Sequence, residues 1–156
     1  MHARERVHRR RPHSMMPRTV TRRNGRVRLS VPPSMTSDAL IDDDCIRGYH
    51  AHVYFRNADE RARALRVRGW IDARFPVTLG RVHDVLVGPH GSPMYQVAFE
   101  RAQFASLVPW LLLNRLGLSV LVHPNTGRAR DDHLLHALWL GDPIAVRAEV
   151  LSNEPT

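Results

Sequence analysis

Tyr49-His50-Ala51-His52-Val53-Tyr54-Phe55 is the stretch on which the fold turns. Its residues alternate with period two, the mark of a β-strand whose successive side chains point to opposite faces. Ala51, Val53 and Phe55 form a side apolar enough to face a core, and His50, His52 and Tyr54 form the other. Two imidazoles therefore look out together from one sheet face. Neutral imidazole is a ligand for iron, zinc, copper or nickel, so the pair is a candidate metal site.

The pattern continues outward from this strand, which runs from about Gly48 to Phe55. Asn57 or Asp59 can cap a helix, with Glu60 favourable in its first turn. Ala64, Val67, Ile71 and Phe75 then recur at steps of three and four, a helical stripe. Gly69 weakens that helix by up to ~1 kcal/mol relative to Ala. A second strand is expected from Val77 to Asp84, a turn at Gly88-Pro89-His90-Gly91-Ser92-Pro93, and a third strand from Met94 to Phe99. A second helix, from about Arg101 to Arg115, is apolar almost all round, which predicts burial on more than one side. Pro109 should kink it or begin a fresh turn. A fourth strand spans Leu118 to His123 and ends at Pro124-Asn125-Thr126-Gly127. His133 to Leu140 reads as a short last element, either strand or helix. The order is β-α-β-β-α-β: an α+β, ferredoxin-like βαββαβ two-layer sandwich, an antiparallel sheet with helices on one face. By analogy with that fold the strand order is 4-1-3-2.

The strand directions expected here run the first and third one way and the second and fourth the other. The start of the first strand then shares a sheet edge with the ends of the second and fourth. That edge would gather His50, His52, His83 and His123, with His90 in the nearby connection. Parity supports the grouping: His50, His52, Tyr54, His123, Leu121, Gln96 and Met94 face away from the helices, joined by Arg81 and His83. Carboxylates are scarce on this face. Asp84 has the wrong parity, while Asp131 and Asp132 lie in a loop that could reach, so the ligand set is either all histidine or completed by a loop acid. His133 and His136 are weaker candidates because their element is unassigned.

Composition narrows the function. With 156 residues the chain has room for one domain and one core. The net charge of +8 belongs to the N-terminus: residues 1–30 hold ten arginines and one acid, whereas residues 31–156 hold thirteen arginines and fourteen acids. The folded part carries no nucleic-acid footprint. Residues 1–45, with Pro12, Pro17, Pro32, Pro33 and the triplet Asp42-Asp43-Asp44, read as a disordered basic tail and linker ahead of a domain over 46–150. No apolar run approaches the ~20 residues that a membrane-spanning helix needs. Cys45 is the only cysteine, which excludes cysteine metal sites and an intrachain disulfide and points to a reducing compartment, the cytoplasm. No glycine-rich phosphate loop and no nucleophile elbow is present.

The segments Tyr49–Phe55, Gly80-Arg81-Val82-His83-Asp84 with Val87-Gly88-Pro89-His90, Met94–Phe99, and Leu121–Gly127 with Asp132-His133 and His136–Gly141 resemble the DOPA 4,5-dioxygenase family, in order and over about residues 48–141. The resemblance implies an extradiol enzyme that uses non-haem Fe(II) and O2 to open a catechol ring such as that of DOPA, on a ferredoxin-like fold that forms dimers. On that footing His50, His52 and His123 are the metal-ligand candidates, His83 and His90 the acid/base or substrate contacts, and Arg81 the contact for an anionic substrate group. The partners expected are a small catechol, O2 and a second copy of the chain. Two other readings of the same face stand beside it. One is a metal-independent oxygenase or isomerase of small aromatics of the dimeric ferredoxin-like type. The other is a non-catalytic metal-binding protein.

Overall fold

The computed structural model describes residues 40–154 together with two short strands, Val20–Arg23 and Arg26–Leu29. These strands pair antiparallel, Val20 opposite Leu29 and Arg23 opposite Arg26. The tail reading gave this stretch no regular structure; the signal it overlooks is Asn24-Gly25, the strongest short-range hairpin dipeptide. For 1–19, 24–25 and 30–39 that reading falls outside the described residues. The chain divides into two units, Met1–Leu40 and Ile41–Thr156, and the second carries a five-stranded sheet and three helices. Near the start of this unit Asp43–Cys45 form a short 3-10 turn, capped by Asp42 Oδ1 accepting from the Asp44 amide at 3.0 Å.

The strands of the sheet are β1 (Tyr49–Tyr54), β2 (Thr78–His83), β3 (Met94–Phe99), β4 (Val120–Pro124) and β5 (Leu138–Leu140). Their order is β2-β3-β1-β4-β5, the expected 4-1-3-2 arrangement extended by a fifth strand beside β4. Every pairing is antiparallel. The helices are α1 (Ala58–Asp72), α2 (Phe104–Asn114) and α3 (Ala129–Leu134). Asn57 caps α1 by accepting from the Glu60 amide at 2.9 Å, and Glu60 accepts from the Arg56 amide at 2.8 Å, a nearly reciprocal box that ties down the entry turn. The undecided stretch His133 to Leu140 takes in the last residues of α3 and the whole of β5.

The core lies between the sheet and the first two helices. Ala51, Val53, Tyr95, Val97, Val120 and Val122 from the strands meet Ala64, Val67 and Ile71 of α1 and Leu107 and Leu111 of α2, all buried. Burying a side chain of this kind contributes ~1.5–3 kcal/mol, and the stripe spacing of α1 puts its buried residues on one face. The α2 expectation needs correction. Leu107, Val108 and Leu111 are buried, but Leu112 is 54% and Leu113 is 86% exposed, so this helix packs on one side only within the protomer.

Strand direction also departs from the expectation. β1 is antiparallel to β3, so β1 and β2 run one way and β3 and β4 the other. A helical crossover returns the chain to the edge it left, which makes β1 and β2 parallel. His83, at the end of β2, therefore lies with Tyr54 and Met94 at the edge opposite His50 and His123. A register shift between Leu79 and Val82 puts Gly80-Arg81 in a bulge. Leu79 and Val82 pack on the core, while Arg81 is exposed.

The second sheet face is not left open. Tyr54, Met94 and Leu121 on it form a smaller cluster with Val87, Ala137, Trp139, Ile144 and Val146. The 84–93 connection and the 137–146 segment thus fold across the sheet and meet each other. His90 bridges to Val146, and the Arg147 amide donates to the Pro89 carbonyl at 2.8 Å. Gly91 permits this approach, since a Cβ there would lie 2.5 Å from the Ala145 carbonyl oxygen. Gly91→Ala is expected to destabilise the domain by ~1–3 kcal/mol through overpacking. Gly69→Ala, mid-helix with nothing near the added methyl, should stabilise it by up to ~1 kcal/mol. Urea unfolding of the two variants should move the midpoint in opposite directions.

Candidate metal centre

β1 and β4 pair so that His50 stands directly opposite His123, with His52 opposite Leu121 one step further in. The alternation that sends Ala51 and Val53 to the core sends all three imidazoles to the other face. The His52 and His123 Nε2 atoms are 3.1 Å apart, and the His50 and His123 ring centres are 5.3 Å apart. Two further segments add to the set. The 84–93 connection, crossing from the far edge, brings the His90 ring centre to 4.1 Å from that of His52. α3 brings His133 to 3.9 Å from His123. Two overlapping triads result, His50-His52-His123 and His52-His90-His133, each with ligand atoms within 4.8 Å of one another. His52 belongs to both.

Backbone and side-chain partners fix how these rings present their nitrogens. His123 Nδ1 donates to the Pro124 carbonyl at 2.7 Å, and His133 Nδ1 donates to the Ala129 carbonyl at 2.8 Å. A carbonyl only accepts, so both neutral rings carry the proton on Nδ1 and a lone pair on Nε2. This is how ligating histidines are usually oriented. His90 Nδ1 is hydrogen-bonded to the Tyr54 hydroxyl at 2.9 Å. His52 Nδ1 is buried without a hydrogen-bond partner, an expensive state for a ring nitrogen. Nitrogens bound side by side at ~2.1 Å from one ion come about as close as those of His52 and His123. The donor set fits a borderline metal of the iron or zinc kind.

Burial keeps the rings neutral, as ligation requires. Desolvation, reinforced by neighbouring histidines, holds His90 at about 4 and His123 at about 3. The same causes depress His52 well below its ordinary value. His50 and His133 are lowered chiefly by burial, with Asp132 acting in the opposite sense on both. Burial raises the Tyr54 hydroxyl.

No loop acid joins the triads among the described residues. Asp132 is buried, but its oxygens accept from the Thr126 amide at 3.0 Å and the Thr126 hydroxyl at 2.7 Å. Asp131 accepts from Arg128 and Asn153, and Asp84 from Arg61 out on the surface. Of the residues singled out from sequence, the structure brings together His50, His52, His90 and His123. His83 stays outside the triads, near enough to His90 only to act on it electrostatically. Arg81 lies exposed in the β2 bulge, and His136 is also exposed. His133, the weaker candidate, joins the triads: its stretch has no clear period in the sequence, and α3 is what carries it to the centre.

A cleft of about 350 Å³ opens onto the centre, lined by His50, His123, Asn125, Asp132, His133 and Leu151 among others. A second of about 460 Å³ also reaches His50 and Asn125 and continues along Arg47, Thr78 and Glu100.

Fold and site together define a class: a ferredoxin-like α+β domain with an all-histidine, metal-competent centre on the sheet face away from its two long helices. Residues 49–150 match the model of the Dopa 4,5-dioxygenase family, and the chain belongs to that family. It is 34% identical over 121 residues to a DOPA 4,5-dioxygenase of Amanita muscaria, covering 72% of this chain and 53% of that one. It is 37% identical over 115 residues to an uncharacterized 21.2 kDa protein of Botryotinia fuckeliana, covering 65% of this chain and 62% of that one. The chain thus spans between half and two thirds of these curated relatives. A crystal structure from Nostoc punctiforme, provisionally assigned as a dioxygenase, superposes with a TM-score of 0.70 at 52% identity, covering 71% of this chain and 96% of that one.

The depressed histidines give the metal-free chain a defined pH response. A group held below its unfolded value of 6.5 binds fewer protons folded than unfolded between the two values, so its stability contribution is whole above ~6.5. It is lost as pH falls through about 4 for His90 and about 3 for His123. After chelation, the thermal midpoint should be flat from pH 8 to 7 and drop steeply from pH 6.5 towards 4. A midpoint that stays level to pH 4.5 would contradict buried neutral imidazoles.

Proposed function

We propose that the chain is a non-haem Fe(II)-dependent extradiol dioxygenase that opens the ring of a catechol such as DOPA with O2. The observation that carries the reading is the group of five neutral histidines, with the Nε2 atoms of His123 and His133 bared by backbone carbonyls, beside a ring-sized cleft. Membership of a family named for a ring-opening dioxygenase supports the choice of reaction. His50, His52 and His123, from two paired strands, are the residues that would hold the ion. Bound Fe(II) would bring catechol and O2 into reacting geometry, both oxygen atoms entering the ring-opened product.

The chain's own residues supply the rest. The cleft walls hold the ring edge-on towards the histidines. His133 lines that cleft with Nε2 unprotonated, and His90 stands behind His52, oriented by Tyr54. His133, on the cleft wall, would take up a catechol proton and return it to the product, while His90, buried and held at about 4, would position His52. His83 and Arg81, also candidates from the sequence, have no such place. Asp132, buried beside His50 and His133, steadies a positive charge on either ring.

With Fe(II) added anaerobically and O2 then admitted, the full chain should consume O2 with a catechol and form a yellow ring-opened product. His52→Ala and His123→Ala should each lower that rate at least a hundredfold while the domain stays folded by circular dichroism. Unchanged turnover after chelation, or in both variants, would exclude the reading and favour metal-independent chemistry.

The same reading extends to a homodimer in a reducing cytoplasm. Leu112, Leu113 and Trp70, exposed on the helical layer, are the surface a second copy would cover. No helix among the described residues is long and apolar enough to cross a membrane. Sedimentation equilibrium should give twice the 17.8 kDa chain mass, and Leu113→Glu should return it to one.

A further inference from the structure

The arginine excess of residues 1–30 has no part in the metal centre. Ten arginines stand there against Glu5, while residues 31–156 hold thirteen arginines and fourteen acids. The unit that contains the excess, Met1–Leu40, is distinct from the one that carries the sheet, and it precedes the residues 49–150 matched to the family. Nothing in the proposed reaction draws on it.

Its described part is a ribbon of two antiparallel strands, Val20–Arg23 and Arg26–Leu29. Register puts Val20 opposite Leu29, Thr21 opposite Arg28, Arg22 opposite Val27 and Arg23 opposite Arg26. Facing along a strand repeats every two residues, so these pairs fall alternately on two faces. Thr21, Arg23, Arg26 and Arg28 share one face; Val20, Arg22, Val27 and Leu29 share the other. The first face is basic at every position but Thr21 and holds no acid. Like charges directly opposite weaken a cross-strand pair, and a lone two-stranded ribbon is marginal in water. A ribbon that sets Arg23 against Arg26 gains most from an anion that the basic face can share.

The sequence narrows that anion to a nucleic-acid duplex. Residues 1–40 hold no Phe, Trp or Tyr. A single strand is held largely by stacking its bases on aromatic rings. Segments that lie in a membrane surface set Trp, Phe and Leu apart from their cations on an apolar face, whereas Val20, Val27 and Leu29 share their face with Arg22. Duplex DNA asks only for cations: it carries one charge per ~1.7 Å of axis, and its major groove, ~12 Å wide, admits a two-stranded ribbon. Strands ~5 Å apart, with like-facing residues ~7 Å apart along each, fit that groove. Guanidinium takes phosphate oxygens in two-point contact. The major groove of an A-form RNA duplex is too deep and narrow for such a ribbon.

We propose that residues 1–30 are a DNA-binding arm, whose ribbon sets the face of Arg23, Arg26 and Arg28 against the phosphates of a B-form duplex without reading its sequence. The other arginines of the arm add to the attracting field and not to specificity. The arm acts independently of the reaction proposed for the domain.

The test is binding of the full chain to fluorescently labelled DNA duplexes of ~20 bp in two unrelated sequences, read by anisotropy as salt is raised from ~50 to ~200 mM. Both sequences should bind equally, and the affinity should fall steeply with salt. Arg26→Gln together with Arg28→Gln should weaken binding at least tenfold at the lower salt and reduce the slope of log K against log salt by about 2. Arg66→Gln together with Arg74→Gln, exposed on the sheet-bearing unit, should change the affinity less than twofold. Thr21→Pro takes an amide out of the ladder and leaves every arginine in place, and it should weaken binding at least threefold. No loss in the first double variant, or an equal loss in the second, overturns the inference. So does native affinity in Thr21→Pro, because charge without the ribbon would then suffice. Tighter binding of the native chain to a DNA single strand or an RNA duplex of the same length, or to vesicles of phosphatidylserine and phosphatidylcholine at equal salt, overturns it in favour of that partner.

Discussion

The register of β1 between β3 and β4 is the constraint on which the rest of this structure depends. One strand of six residues commits both its faces, Ala51 and Val53 to the core and His50 and His52 to the metal-competent centre. A slip of one residue would put imidazoles under the helices and alanine and valine against His123. Hydrophobic burial on one face therefore enforces the chemistry of the other. Pairing on both sides leaves the strand no freedom to adjust, so the Nε2 separation of His52 and His123 is set by the sheet rather than by loops.

The sheet alone supplies three of the five imidazoles; the others depend on the layer that covers it. Val87, Ile144 and Val146 pack onto Tyr54, Met94 and Leu121, and that apolar contact carries His90 and the strap from 141 to 147 into place. Tyr54 takes part twice, as a packing surface and as the hydroxyl that orients His90. The same cover removes water from the rings and keeps them unprotonated. Stability and ligand readiness thus draw on one set of contacts, and a loosened strap would affect both.

Charge is placed with similar economy around the centre. The one buried acid beside it, Asp132, is occupied by Thr126 and acts at a distance. Arg47, which lines the larger cleft, has its main chain bonded to Asn125 and its side chain exposed. The first arrangement favours neutral or positive imidazole without competing for the ion.

Much of this was legible in the sequence, because it rests on local periodicity. The alternation through Tyr49–Phe55, the stripe of Ala64, Val67 and Ile71 and the alternation of Met94–Phe99 fix element types, and with them the α+β class and the facing of His50, His52 and His123. Strand direction was not local: whether β1 runs with β2 or with β3 follows from how a helix crosses over a sheet, and only the paired strands show that His83 ends at the far edge. Nor could periodicity place His90, His133 or Arg47, which lie in loops, a short helix and the approach to β1. Their positions depend on non-local packing, and the bulge that turns Arg81 to solvent is equally invisible to periodicity. Side-chain facing repeats every two residues along a strand, whereas the path of a loop is set by whatever surface it finds to cover.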